Sequence, residues 1–373
     1  MNEFEYKKVS LDKIQVVLRS DEEVKSEKLK GTGLYNSNSI DHILIDGEPV
    51  APTSRFWNSL FSRFGIGNSF FSLFSHDEVF KRISERTHDN TIKVCVDKSD
   101  PNYPKLLSAV GDSKPVIIYD DLLDILKQSS SEKIVYSKGI VKSVHVPRMN
   151  SSEFEVGGDN FVNRFEMHTP IDGYGNPNFY LSMMRLICSN GMTGFAKEFQ
   201  STLKLGTGSD DIAYTLNRAI DGFSNESGFA RLRERFKSAT KSWGSFREYN
   251  SLYSLLLNIQ LDDNVSPEKR KSISRDLDIL AGRPYEKFGI ASNSFSEKRL
   301  RQLPIECKVY EMLNFATEVA THNVSEEGNR RLQAWCGSLL TSEYDLEDSC
   351  EKFGDWRSFF VRDNAQQFDD YKA

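Results

Sequence analysis

Cysteine is scarce in this 373-residue chain. The five cysteines, Cys95, Cys188, Cys307, Cys336 and Cys350, are odd in number, widely spaced and form no Cys-x-x-Cys pair. That pattern excludes a disulfide framework or a cysteine-based zinc site and fits reduced thiols in a cytosolic protein. Long apolar runs are missing too. No stretch of 18 apolar residues occurs, so no membrane-spanning helix is expected. Residues Met1 to Lys8 lack the apolar core of a secretory leader, and none is expected. Charge of one sign is also lacking. The 54 acidic and 48 basic residues leave a net charge of −6, which excludes a histone-like protein. The phosphate-loop pattern, the Gly-x-Ser-x-Gly elbow and the His-Glu-x-x-His helix are absent.

Aromatic residues are plentiful. The 25 Phe and 14 Tyr supply a core and argue against wholesale disorder. Charge is unevenly distributed. Glu343 to Ala373 hold nine acidic and four basic residues, so this end carries −5 and the first 342 residues only −1.

The pattern along the chain predicts an α+β fold: a central, mostly antiparallel sheet with flanking helices, then a C-terminal helical region. Residues 1–50 read as an arm with short strands, including Ile40–Ile45 before the Asp46-Gly47 turn. Residues 51–225 read as the core domain. Phe56, Trp57, Leu60, Phe61 and Phe64 share one helical face over 54–64, and a second aromatic helix is expected from Phe70 towards Glu85. Strands are expected at Thr91–Val96, Pro115–Tyr119, Lys133–Val146, Phe154–Val156, Phe161–His168 and Phe179–Ile187, with a short helix at Asp121–Gln128. The Pro170–Pro177 turn would carry Asp172 and Asn176 at its tip. Residues 226–345 read as helical and 346–373 as an acidic end. Within them, Phe229, Leu232, Phe236, Ala239, Trp243 and Phe246, then Tyr253 and Leu257, form a heptad-like seam interrupted at Asn250. Further helices are expected at Pro267–Leu280, Lys308–Thr321, Glu326–Thr341 and Asp348–Arg362.

Two chemistries stand out. From Phe229 to Arg247 the chain carries Arg231, Arg233, Arg235, Lys237, Lys241 and Arg247 against only Glu234, a net of +5, all outside the seam. Such a stripe can neutralise phosphates and release counterions. It can equally be a solvated face, or a surface that docks the acidic end. Single-stranded nucleic acid also needs rings beside cations. Arg55 and Arg63 flank aromatic residues, although the helical spacing of those rings also fits core packing. Tyr174 sits in a glycine-flanked turn and is a stacking candidate. Arg185 is a candidate phosphate clamp, and Asn190 a base contact or helix cap. Glu318 and His322, at i and i+4, form a candidate pair for metal or acid–base work, or an ordinary surface pair. Gly206-Thr207-Gly208-Ser209 reads as a strand-to-helix turn. No cofactor is expected.

Three stretches in order carry a resemblance. They are Arg63-Phe64-Gly65-Ile66 with Phe70-Phe71, then Asp172-Gly173 with Arg185 to Met192. The third is Thr317 to Asn323 with Leu332 to Gly337 and Tyr344 to Glu347. Over roughly residues 50–350 the chain resembles the phage/plasmid-like family called domain of unknown function 932. That family has no agreed biochemical activity. The resemblance implies a mobile-element protein in a bacterial cytoplasm and supplies no catalytic residues. By association with replication and recombination modules it favours DNA handling, and the expected sheet-then-helix order suits a single-strand annealing protein. The reading is thus a non-enzymatic protein that binds single-stranded DNA as a homo-oligomer. The alternative is an assembly or host-interaction protein, and a metal-dependent enzyme using Glu318 and His322 is a third. An acidic end that competes for the basic surface is also expected.

Overall fold

The computed structural model describes residues 3–19, 40–67, 69–70, 74–86, 90–129, 131–148, 153–185, 191–193, 200–205, 209–259, 261, 265–288 and 295–342. It is a mixed α/β protein with antiparallel sheets and flanking helices. Among the described residues no helix is long and apolar enough to cross a membrane. The chain divides into two compact units. The first comprises Met1–His145, Met167–Asn178 and Thr202–Gly222; the second comprises Val146–Glu166, Phe179–Ser201 and Phe223–Ala373.

The first unit is built on a six-stranded sheet of β1 (Phe4–Ser10), β2 (Gln15–Leu18), β3 (Ile40–Ile45), β4 (Glu48–Pro52), β5 (Thr91–Asp97) and β6 (Lys105–Gly111), in the order β1-β5-β6-β4-β3-β2. Neighbours are antiparallel except β4 and β6, which run parallel. Asp46 and Gly47 join β3 to β4 with φ of 51° and 84°, a turn whose twist matches a hairpin. The N-terminal residues are therefore strands of this sheet. Central strand β6 was not expected from the sequence: its residues 106–110 are all buried, so it shows no alternation.

Helix α1 (Ser54–Phe64) starts at Thr53, whose side chain accepts the Phe56 amide, and stops at Gly65 in the left-handed conformation. It buries Phe56, Trp57 and Leu60 in the sheet's core, and the Ala109 amide of β6 donates to Ser59 at 2.7 Å. Helix α2 (His76–Arg86) adds Val79, Phe80 and Ile83 to that core. It begins later than the expected Phe70. Pro115–Tyr119, expected as a strand, instead runs into helix α3 (Tyr119–Gln128). Strands β7 (Lys133–Ser137) and β8 (Ile140–His145) form a hairpin through Lys138-Gly139, and helix α4 (Ser209–Asp221) completes the unit.

In the second unit β9 (Glu153–Val156) and β10 (Asp159–Pro170) form a hairpin through Gly157-Gly158. Strand β11 (Asn178–Arg185) lies beside β10, with β12 (Gly191–Thr193) and β13 (Gln200–Thr202) pairing to it. Strands β10 and β11 each contribute residues to both units. The helices are α5 (Glu226–Lys241), α6 (Phe246–Leu257), α7 (Pro267–Leu280), α8 (Pro284–Phe288), α9 (Glu297–Gln302), α10 (Val309–His322) and α11 (Glu326–Thr341). A short ladder of β14 (Trp243–Ser245) and β15 (Pro304–Lys308) separates α5 from α6.

That ladder corrects the heptad seam. Phe229, Leu232, Phe236 and Ala239 are buried as one stripe, but the helix ends at Lys241 rather than running to Asn250. Ser245 then caps α6 with a capping box to Glu248 and resets the register. Tyr249, Leu252 and Leu256 become the buried stripe, while Leu257 is exposed.

Candidate nucleic-acid interface

Helix α5 carries the cations. Its buried stripe fixes the opposite face outward, so Arg231, Glu234, Lys237 and Lys241 are exposed. Arg233, Lys237 and Lys241 follow at i, i+4 and i+8 along one side of the helix. The Arg233 guanidinium lies 5.6 Å from the centroid of the Phe154 ring on β9. Lys237 pairs with Glu234 at 3.1 Å, an exposed contact worth a few tenths of a kcal/mol. Lys241 ends the helix, and its carbonyl accepts Lys308 Nζ at 2.7 Å.

Lys308 is an addition that the sequence did not suggest. It lies opposite Trp243 in the β14–β15 ladder, and its ammonium sits 3.7 Å from the Trp243 ring centroid. Cations gather here for a physical reason, since a helix C-terminus presents unpaired carbonyls and negative dipole charge. Arg233, Lys237 and Lys241 thus share one side of α5, Arg233 lies over Phe154, and Lys308 lies over Trp243 at the end of the helix.

Arg235 has a different task. It points towards α11, donating from Nε to the Leu340 carbonyl at 2.6 Å and from a terminal nitrogen to that of Ser342. It thereby satisfies carbonyls that the end of α11 leaves open. Arg247 pairs with Glu297 at 3.0 Å.

Arg185, at the end of β11, donates to Asp159 Oδ1 at 2.6 Å. The Tyr310 hydroxyl donates to the other oxygen of Asp159 at 2.6 Å, so the carboxylate ties β10, β11 and α10 together. Burial, followed by the Asp159 bond, raises the Tyr310 pKa and keeps the hydroxyl protonated as donor. Gly157, at φ 63°, lets the β9–β10 turn fit closely here. A Cβ on it would lie 3.0 Å from the Tyr310 ring and 3.3 Å from the Thr240 methyl. Asn190 lies outside the described residues, as do Gly206–Gly208 and the acidic residues 343–373.

Arg55, Arg63 and Tyr174 belong to the first unit. Arg55 grips Asp172 with two bonds, 2.5 Å from Nε and 2.8 Å from a terminal nitrogen, and also reaches the Tyr174 carbonyl at 2.6 Å. The Asp172 side chain is wholly buried, not at a turn tip. The Arg55 guanidinium lies 5.1 Å from the Tyr174 ring centroid. Arg63 lies 5.4 Å from the Phe64 ring centroid. Arg55 and Tyr174 therefore act together as a clamp on the 172–174 turn.

Glu318 and His322 are both exposed on α10. Among the described residues no group of three His, Cys, Asp or Glu side chains is placed to hold a metal ion. Cys95, Cys307 and Cys336 are buried free thiols whose pKa values are pushed up by burial, which suppresses the reactive thiolate. Comparison with protein-family models, curated proteins and solved structures produced no match.

Proposed function

We propose that this chain is a mobile-element protein of the domain-of-unknown-function-932 kind that binds single-stranded DNA through the exposed side of α5, in a bacterial cytoplasm. One observation supports the reading above the others. Arg233, Lys237 and Lys241 line one side of α5 and the Lys308 ammonium bonds the carbonyl at its end, with the partly exposed Trp243 ring beside that ammonium. Cations bind the phosphates and rings stack on bases without reading sequence, which is the chemistry of single-strand binders. Annealing or replication support follows from such binding if the protein holds two strands as an oligomer. Anisotropy of a labelled oligothymidine tests the reading. Saturable binding at low salt that weakens steeply with added salt supports it; no binding at low salt overturns it.

A second reading, self-association or assembly, draws on an aromatic patch of the same unit. Tyr253 and Tyr285 lie 5.6 Å apart, Tyr285 is 40% exposed, and Leu257, one turn after Tyr253, is 47% exposed. Light scattering with and without oligonucleotide separates the readings. An oligomer that forms and ignores DNA favours assembly.

A further inference from the structure

We infer that Trp243 and Lys308 form a one-nucleotide subsite, with the indole stacking a base and the Lys308 and Lys241 ammonium groups holding the adjoining phosphate. The inference rests on the single-strand reading above and deepens it by naming the stacking residue.

Helical spacing assigns Trp243 to a buried seam. The structure takes it out of the helix altogether. It begins β14 immediately after α5 and remains partly exposed, with the Lys308 ammonium on its ring. The backbone beneath it is firmly held. Trp243 is in register with Lys308, the Val309 amide donates to the Ser242 carbonyl at 3.0 Å, and Ser242 is buried. The next residue, Gly244, has no room for a side chain, because a Cβ there would lie 2.8 Å from Met312 Sδ and 2.9 Å from Ile305. The ring is therefore presented from an ordered support, which lowers the entropy lost when a base stacks on it.

The cations supply the second half. Lys308 donates to the main-chain carbonyl of Lys241, so its ammonium lies at the C-terminal end of α5, whose last residue is the exposed Lys241. The Lys241 side chain starts from that same helix end, and a phosphate arriving beside the ring is attracted by both cations. A nucleotide carries both a π-face and a phosphate and so meets both halves of the site. A purely structural Lys308, capping α5 and covering Trp243, would leave DNA affinity untouched when Trp243 changes.

The test uses the full chain, oligothymidine of about twenty residues and intrinsic tryptophan fluorescence. Wild type is expected to be quenched on binding, and Trp243→Phe is expected to lose that quenching while retaining most of the affinity. Trp243→Leu, which keeps apolar bulk without an indole, is expected to weaken binding roughly ten-fold. Its salt dependence stays the same because no charge is removed. Lys308→Gln is expected to reduce the slope of log K against log salt by about 0.7. Wild-type affinity in Trp243→Leu, together with undiminished quenching in Trp243→Phe, would overturn the subsite and leave the single-strand reading standing. No binding by wild type at low salt would overturn both. If Trp243→Leu melts early, the Phe variant's quenching decides alone.

Discussion

Replacing Arg55 with methionine keeps the stem of the side chain and removes its charge. The Asp172 carboxylate, with a fully buried side chain, then loses its two guanidinium bonds of 2.5 and 2.8 Å and keeps the Tyr174 amide at 3.1 Å. The Tyr174 carbonyl loses its 2.6 Å donor as well. Breaking a buried pair from one side costs about 3–5 kcal/mol, because an uncompensated charge stays behind. That is a large share of the roughly 5–15 kcal/mol that holds a domain folded. The sign of the pH effect follows from burial. Desolvation raises the Asp172 pKa above its ordinary 3.8, and Arg55 opposes that rise. Without Arg55 the rise is larger. As pH increases past 3.8 the unfolded chain ionises first, so stability is lost with rising pH until the folded carboxyl also ionises. Arg55→Met should thus be most damaged at neutral pH and approach wild type in acid. Urea unfolding followed by tryptophan fluorescence measures this, since Trp57 packs within the same unit. Arg55→Met combined with Asp172→Asn should recover much of the loss, since the stranded charge is gone. A loss below about 1 kcal/mol, or a double variant no better than the single one, would refute the clamp.

His145 is buried, and burial lowers its pKa from 6.5 to about 4. The unfolded chain therefore takes up a proton first as pH falls, and stability should decline between pH 6.5 and about 4, a decline that His145→Gln should flatten in pH-resolved urea melts. Glu234→Gln removes the 3.1 Å partner of Lys237 and should tighten oligonucleotide binding by about two- to five-fold at low salt while moving the melting temperature little. Weaker binding in that variant would count against Lys237 as a phosphate contact. Deleting residues 363–373 removes three aspartates and one lysine from the acidic end and should also tighten binding. Ser342, the residue before the acidic end begins in the sequence, is bound to α5 through Arg235. Unchanged or weaker affinity would refute competition by the acidic end.

Periodic and turn signals were legible in the sequence. The helices over 54–64, 267–280 and 326–341 stand where their patterns put them, because each has a clear apolar stripe or a terminal signal. The Asp46-Gly47 hairpin was likewise legible. Strand β6 was not, since a strand buried on both faces loses its period-two pattern. Trp243 kept heptad spacing by coincidence across a helix, a strand and a second helix, so the seam concealed a break at Ser242. The cations of α5 were visible as a charge run, but the separate tasks of the cations across the chain were not. Arg235 faces α11, Arg55 is spent on Asp172, and Lys308 reaches the end of α5 from 67 residues away. Pairing over such sequence distances depends on tertiary packing, which local composition does not encode.

The central claim is that α5 and Lys308 bind phosphates. A salt titration of oligothymidine affinity addresses it most directly. With Arg233, Lys237, Lys241 and Lys308 each neutralising one phosphate, log K should fall against log salt with a slope of about −3. Affinity would then drop roughly 50-fold between 50 and 200 mM salt. Lys237→Gln with Lys241→Gln should bring the slope to about −1.4 in a protein that melts normally. A slope near zero, or one that the double substitution leaves unchanged, would contradict the account.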